Sequence, residues 1–198
     1  LLGTILILAM TTYVYLATSL FTSDKLAYIY DSNASLVGTV AEQVHAHAST
    51  LAEKLLYFAS EQSSAAGRGE RSDVPARSLL SADSDLLSLE VWEKNGPALR
   101  QTYRFVDPTR LAAVDLAAQD LEDSRKAHPF DAAAVLGEKV VLENVSLPPD
   151  VGLLRLAAAS ADGQRVVVSE IRPDRLLRLF ARPRLAQLYL VDARGRVL

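Results

Sequence analysis

Residues 24–62 read DKLAYIYDSNASLVGTVAEQVHAHASTLAEKLLYFASEQ, and the fold turns on how this stretch is read. Leu26, Ile29, Asn33, Leu36, Val40, Val44, Ala48, Leu51, Leu55 and Phe58 follow one another at steps of three or four residues. That spacing places one largely apolar stripe along a long amphipathic helix over 23–62. A stripe of this length needs cover along its whole run, from a second helix or from the body of its own domain. Gly38 interrupts it at a cost of about 1 kcal/mol relative to alanine.

Toward the N-terminus no Pro or Gly separates this helix from LLGTILILAMTTYVYLATSLFTS, residues 1–23, which carry no Asp, Glu, Lys, Arg or His. A helix of that length is roughly 34 Å long, against a hydrocarbon core of about 30 Å. The expectation is a transmembrane helix over 1–22 that continues into the amphipathic helix. A cleaved leader ending near Ala17-Thr18-Ser19 and a buried globular helix are the competing readings. A chain that opens without Met and stops just after a turn signal also reads as a fragment.

The whole chain has 198 residues, with 21 Lys+Arg, 24 Asp+Glu, no Cys and 49% hydrophobic residues. Disulfides, thiolate chemistry and Cys-ligated metals are excluded by composition. A formal charge of −3 gives no general drive toward nucleic acid.

Beyond the long helix, SSAAGRGERSDVPA (63–76) loses the stripe and reads as a surface loop, and RSLLSADSDLLS (77–88) reads as helical turns. LEVWEKNGPALRQTYRFV has the form strand, turn, strand, with Asn95-Gly96 as the hairpin signal. Asp107-Pro108 opens one helix over 107–127, stopped at His128-Pro129. KVVLENVSL, VGLLRLAAAS and RVVVSEI, joined through Pro148-Pro149-Asp150 and Asp162-Gly163, read as an antiparallel meander. PDRLLRLF is a short helix, and RLAQLYLVDARGRVL starts another strand and turn. Five strands and covering helices make an α+β domain.

The order of these elements, and above all DGQRVVVSEIRPDRLLRLF followed by LYLVDARGRVL, resembles the extracytoplasmic Cache sensors. These are PAS-like domains of bacterial chemoreceptors, two-component sensor kinases and cyclases. The resemblance implies a sensory module over 63–184, packed by the long helix, and the start of a second, membrane-proximal module of double-Cache type at 185–198. It further implies the sensory region of a transmembrane signalling receptor in the bacterial inner membrane, facing the periplasm or cell exterior. Such a region binds a small molecule, transmits a helix displacement across the membrane and pairs as a homodimer through the long helix. The alternative is a membrane-anchored structural or assembly protein of the cell envelope without a ligand. The Tyr, Arg, Trp and Asp pattern of amino-acid-binding members does not align on Trp92 or Tyr103-Arg104.

No catalytic constellation emerges, so no enzyme activity, cofactor or metal is expected of this chain. His45 and His47 lie two apart on a helix, roughly 200° around its axis, and cannot clasp one ion. They read as solvated, and His128 as a helix-end residue. The arginines from Arg175 to Arg196 lack interleaved aromatic platforms, so a nucleic-acid partner is not expected. The candidate ligand-binding residues are Tyr103, Arg104, Arg155 and Glu170. Strand alternation puts Tyr103 on the apolar face and Arg104 opposite it. Arg155, opposite Leu154 and Leu156, is expected to face solvent, as is Glu170. If a ligand carries a carboxylate, Arg155 or Arg104 can grip it with two parallel hydrogen bonds.

Overall fold

The computed structural model describes residues 2–67, 72–82, 85–96, 98–147, 152–180, 189 and 191. Its helices are α1 (Leu2–Gly67), α2 (Val74–Ala82), α3 (Pro108–Ala112), α4 (Ala118–Ala127), α5 (Ala132–Glu138) and α6 (Asp174–Phe180). Its strands are β1 (Ser88–Asn95), β2 (Ala98–Val106), β3 (Val140–Asn144), β4 (Leu154–Ala159) and β5 (Arg165–Ile171). The chain divides into two compact units, Leu1–Gln43 and Val44–Leu198. The second module expected at 185–198 lies, apart from Tyr189 and Val191, outside the described residues.

The helix expected over 23–62 is part of one continuous helix that ends at Gly67, inside the stretch read as loop. The transmembrane anchor, however, is overturned: among the described residues no helix is long and apolar enough to cross a membrane. Between Ile7 and Asp24 the aliphatic side chains are diluted by Thr11, Thr12, Thr18, Ser19, Thr22 and Ser23 and by the phenols of Tyr13 and Tyr15. Thr11, Thr12 and Thr22 do donate to the carbonyls of Ile7, Leu8 and Thr18, as polar residues in a bilayer must. Satisfying a hydroxyl does not make the surface apolar enough. The expected membrane partner, the inner-membrane location, the transmembrane receptor function and its membrane-anchored structural alternative all depended on that anchor, and all are withdrawn with it.

In the second unit the strands form one antiparallel sheet in the order β2-β1-β5-β4-β3. The expected hairpin and meander are both present. They are joined at the middle by β1 and β5, with Glu90 opposite Val168 and Trp92 opposite Val166. Gly96 takes φ +64° at the hairpin and Gly163 φ +64° in the β4–β5 turn, a conformation open to Gly at no steric cost.

The sheet is covered on both sides, which is why β4 is buried along its whole length. On one side lies α1, whose Val44, Leu51, Ala52, Leu55, Phe58 and Ala59 are buried. The Phe58 ring sits 5.7 Å from that of Tyr103 on β2. Burial of side chains such as Leu51 and Leu55 contributes about 1.5–3 kcal/mol each. On the other side α5 places Val135 against Ala157, Ala159, Val166 and Val168, and Phe130 packs 5.4 Å from Trp92.

The single helix expected over 107–127 is two. Leu111, Leu116 and Leu121 all enter one cluster with Leu87, Val145 and Leu153. Residues five apart are rotated about 140° from each other on a helix, so one helix cannot aim all three at the same core. The chain breaks between α3 and α4, with Asp115 in the left-handed region at φ 56°. Asp107 caps α3 by accepting from the Thr109 amide at 2.9 Å. The Asp120 side chain accepts from the Ala117 amide at the start of α4.

Candidate functional site

The chemistry of the domain gathers between the sheet and α4. Register does the first part of the work: Glu90 on β1 stands opposite Arg104 on β2, and Arg155 on β4 stands between Glu143 on β3 and Glu170 on β5. Since alternate residues share a face, these side chains, with Trp92, emerge on the side away from α1. Arg125, in the last turn of α4, enters from above and completes the row.

The result is a chain of seven charges alternating in sign. Glu143 Oε2 lies 3.9 Å from Arg155 Nη1, and Arg155 Nε lies 3.7 Å from Glu170 Oε1. Arg125 donates to both oxygens of Glu170, at 3.2 and 2.8 Å, and its Nη2 also lies 2.8 Å from Glu90 Oε1. Arg104 Nε is 3.7 Å from Glu90 Oε1, and Arg104 Nη2 donates to Glu122. Arg125 Nη1 donates to the same Glu122 oxygen at 3.2 Å. Neutral donors fill further lone pairs: Trp92 Nε1 donates to Glu90 Oε2 at 3.2 Å, and the Ser88 hydroxyl donates to Glu170 Oε2. Arg155 Nη1 donates to the His128 carbonyl at 2.7 Å.

Burial pushes the Glu90 carboxyl above the usual carboxylate range, helped by the charge of Glu170, while Arg125, Trp92 and Arg104 pull the other way. Burial, then the neighbouring Arg125 charge, lowers the affinity of Arg104 for its proton. On the opposite face, burial and a 3.0 Å hydrogen bond to Asp73 raise the Tyr103 phenol.

Three of the four candidate residues therefore meet, and one does not. Arg104, Arg155 and Glu170 belong to a single network, whereas Tyr103 packs on the α1 side. The expected solvent exposure of Arg155 and Glu170 is wrong: their side chains are 2% and 1% exposed. Alternation identified their face correctly, but α4 and the α4–α5 connection cover that face. Nor do Arg104 and Arg155 hold out an empty fork for a carboxylate, because their donors already point at the chain's own glutamates and at the His128 carbonyl. The sequence reading missed Glu90, Glu122, Arg125, Glu143 and Ser88. Glu90 was accessible from the hairpin, since pairing around Asn95-Gly96 sets it against Arg104. Glu122 and Arg125 are three apart beside Leu121, a weaker signal.

His45 is exposed as expected, but His47 is half-buried, with its Nε2 3.3 Å from Asp85 Oδ2. Among the described residues no group of three or more His, Asp or Glu is placed to hold a metal ion.

A second feature lies in the first unit. Ile7, Leu8, Met10, Tyr13, Val14, Tyr15, Leu16, Leu20 and Phe21 of α1 are all exposed, and the four consecutive positions 13–16 carry apolar surface around the whole helix. Further along, Leu26, Ile29, Asn33, Leu36 and Val40 keep the alternating 3-4-3-4 spacing of the a and d positions of a heptad. Val40 is buried, Leu36 and Asn33 are half-buried, and Ile29 and Leu26 are 43% and 49% exposed. The stripe thus stays apolar at Leu26 and Ile29, where its side chains are exposed.

No protein-family model matches the chain, and comparison with curated proteins and with solved structures finds no similar protein. What it shares with sensor domains stays at the level of an α+β sheet-and-helix architecture.

Proposed function

We propose that this chain is a non-catalytic assembly module that associates with a second copy of itself through α1, the two helices lying parallel and in register. The observation that carries the reading is the heptad stripe that continues uncovered through Ile29 to Leu26. Among the described residues the other helices are five to ten residues long, so a second α1 is the element that matches it in length and pattern. Asn33 falls at an a position, where an asparagine selects two strands and one register by pairing with its counterpart. The flanking e and g positions, Lys25, Tyr30, Ser32, Val37 and Thr39, set no like charges against each other in a parallel pair. The α+β domain packs on residues 44–62 of the same helix.

The chain has no cysteine, so Asn33→Cys introduces a single thiol. Oxidation of that variant is expected to link the chains into covalent dimers, because parallel, in-register helices bring the two Cβ atoms within disulfide reach, about 3.5–4.5 Å. Sedimentation of the wild type is expected to give a dimer, and Leu26→Asp/Ile29→Asp a weaker one with an unchanged sheet signal in circular dichroism. A monomeric wild type, or Asn33→Cys chains that stay unlinked, overturns the reading.

A further inference from the structure

We infer that α4 is a gate over the charged face of the sheet, held shut by Arg125 and able to open while the sheet beneath it stays folded. The composition of the helix is the first reason. AQDLEDSRKA offers one large apolar side chain, Leu121, to the interior, and the other buried positions on its inner face are Ser124 and the mostly buried Arg125. A helix docked by one leucine gains little from apolar burial, so its attachment depends on polar contacts.

Those contacts are concentrated and they reach three strands. Arg125 bridges Glu90 of β1 and Glu170 of β5, Glu122 accepts from Arg104 of β2, and the Ser124 hydroxyl donates to the Val145 carbonyl at 2.6 Å. Among the described residues the outer face pairs locally, Gln119 with Asp123 and Lys126 with Asp123.

The helix is bounded on both sides by breaks in the helical pattern, with Leu116 before it in the core and the His128 carbonyl after it held by Arg155. Before it, the backbone reverses at Asp115 with φ 56°; after it, the helical pattern stops at His128 before α5 begins at Ala132. Beneath it, by contrast, β4 and β5 are buried and paired on both edges. A segment with few apolar contacts above a fully paired sheet is where local opening is cheapest.

Amide hydrogen exchange on the full chain, read by mass spectrometry, tests this. Amides of residues 120–127 are expected to exchange at least about a hundredfold faster than those of β4 and β5 in the wild type. Arg125→Lys, which keeps one charge but loses the bridging fork, is expected to speed α4 by about tenfold further and leave β4 and β5 unchanged. Glu122→Gln is the milder variant, with the same selectivity, and Lys126→Met on the outer face is expected to change nothing. Equal exchange of α4 and the central strands in the wild type overturns the gate, since the domain then opens only as a whole. So does an Arg125→Lys effect that falls on the strands as heavily as on α4.

Discussion

Arg155 and Glu170 provide the sharpest test of the buried charge row. Arg155→Met keeps the length of the side chain and deletes its charge, in a position where the native side chain is 2% exposed. Two losses follow. The His128 carbonyl loses a 2.7 Å donor, and an unsatisfied buried acceptor costs about 1–3 kcal/mol. Glu170 loses one of two arginines but keeps the bidentate contact with Arg125, so the electrostatic loss falls below the 3–5 kcal/mol of a fully broken buried pair. The single variant is expected to cost about 2–3 kcal/mol, or roughly 5–10 °C in melting temperature for a domain of this size. Glu170→Met strands Ser88, Arg125 and Arg155 together and is expected to reach about 4–5 kcal/mol. The double variant leaves no buried charge at either position, and its cost is expected to fall short of the sum by about 2 kcal/mol. Urea denaturation of the four proteins, with m-values compared, measures each term. If Arg155→Met costs less than about 0.5 kcal/mol, or the two changes simply add, the interior position and the pairing are both refuted.

Two further outcomes follow from single residues. The folded Glu90 carboxyl binds its proton more tightly than in the unfolded chain, where its ordinary value is 4.5. Its contribution is therefore fully present below that value and is lost as pH rises through the folded value. Wild type is expected to be most stable relative to Glu90→Gln in acid and to lose ground on going to neutral pH; a gap that is flat or widens with pH refutes the assignment. Gly163→Ala adds a Cβ that meets nothing within 4 Å but must sit at φ +64°. The expected loss is about 1 kcal/mol, from backbone strain alone, and a neutral result in thermal denaturation contradicts the turn geometry.

The parts of the fold legible in the sequence are those with a local cause. Asn95-Gly96 and Asp162-Gly163 announce turns that need a positive φ, and Gly96 and Gly163 supply it. The stripe from Val44 to Phe58 shows its period because it packs against the sheet. Other features have their cause elsewhere in the chain. Nothing near residue 113 says that α3 must stop; the requirement comes from a distant core that takes Leu111, Leu116 and Leu121 together. Alternation gives the face of Arg155 but not whether a layer lies over that face, and the cover comes from residues 118–131. At the N-terminal end, the absence of charge does not make the helix apolar, and the hydroxyls of the threonines, serines and tyrosines show why the two differ.

The central position of β1 and β5 in the sheet has a consequence for how the molecule is made. Among the described residues the first and the last strand in chain order are neighbours, with the Glu90–Val168 pairing among their contacts. On the ribosome the β1–β2 hairpin must wait, one edge unpaired, until residues 165–171 have left the exit tunnel. A nascent chain stalled before Arg165 cannot join its two halves, which makes the interval between them the vulnerable moment for aggregation.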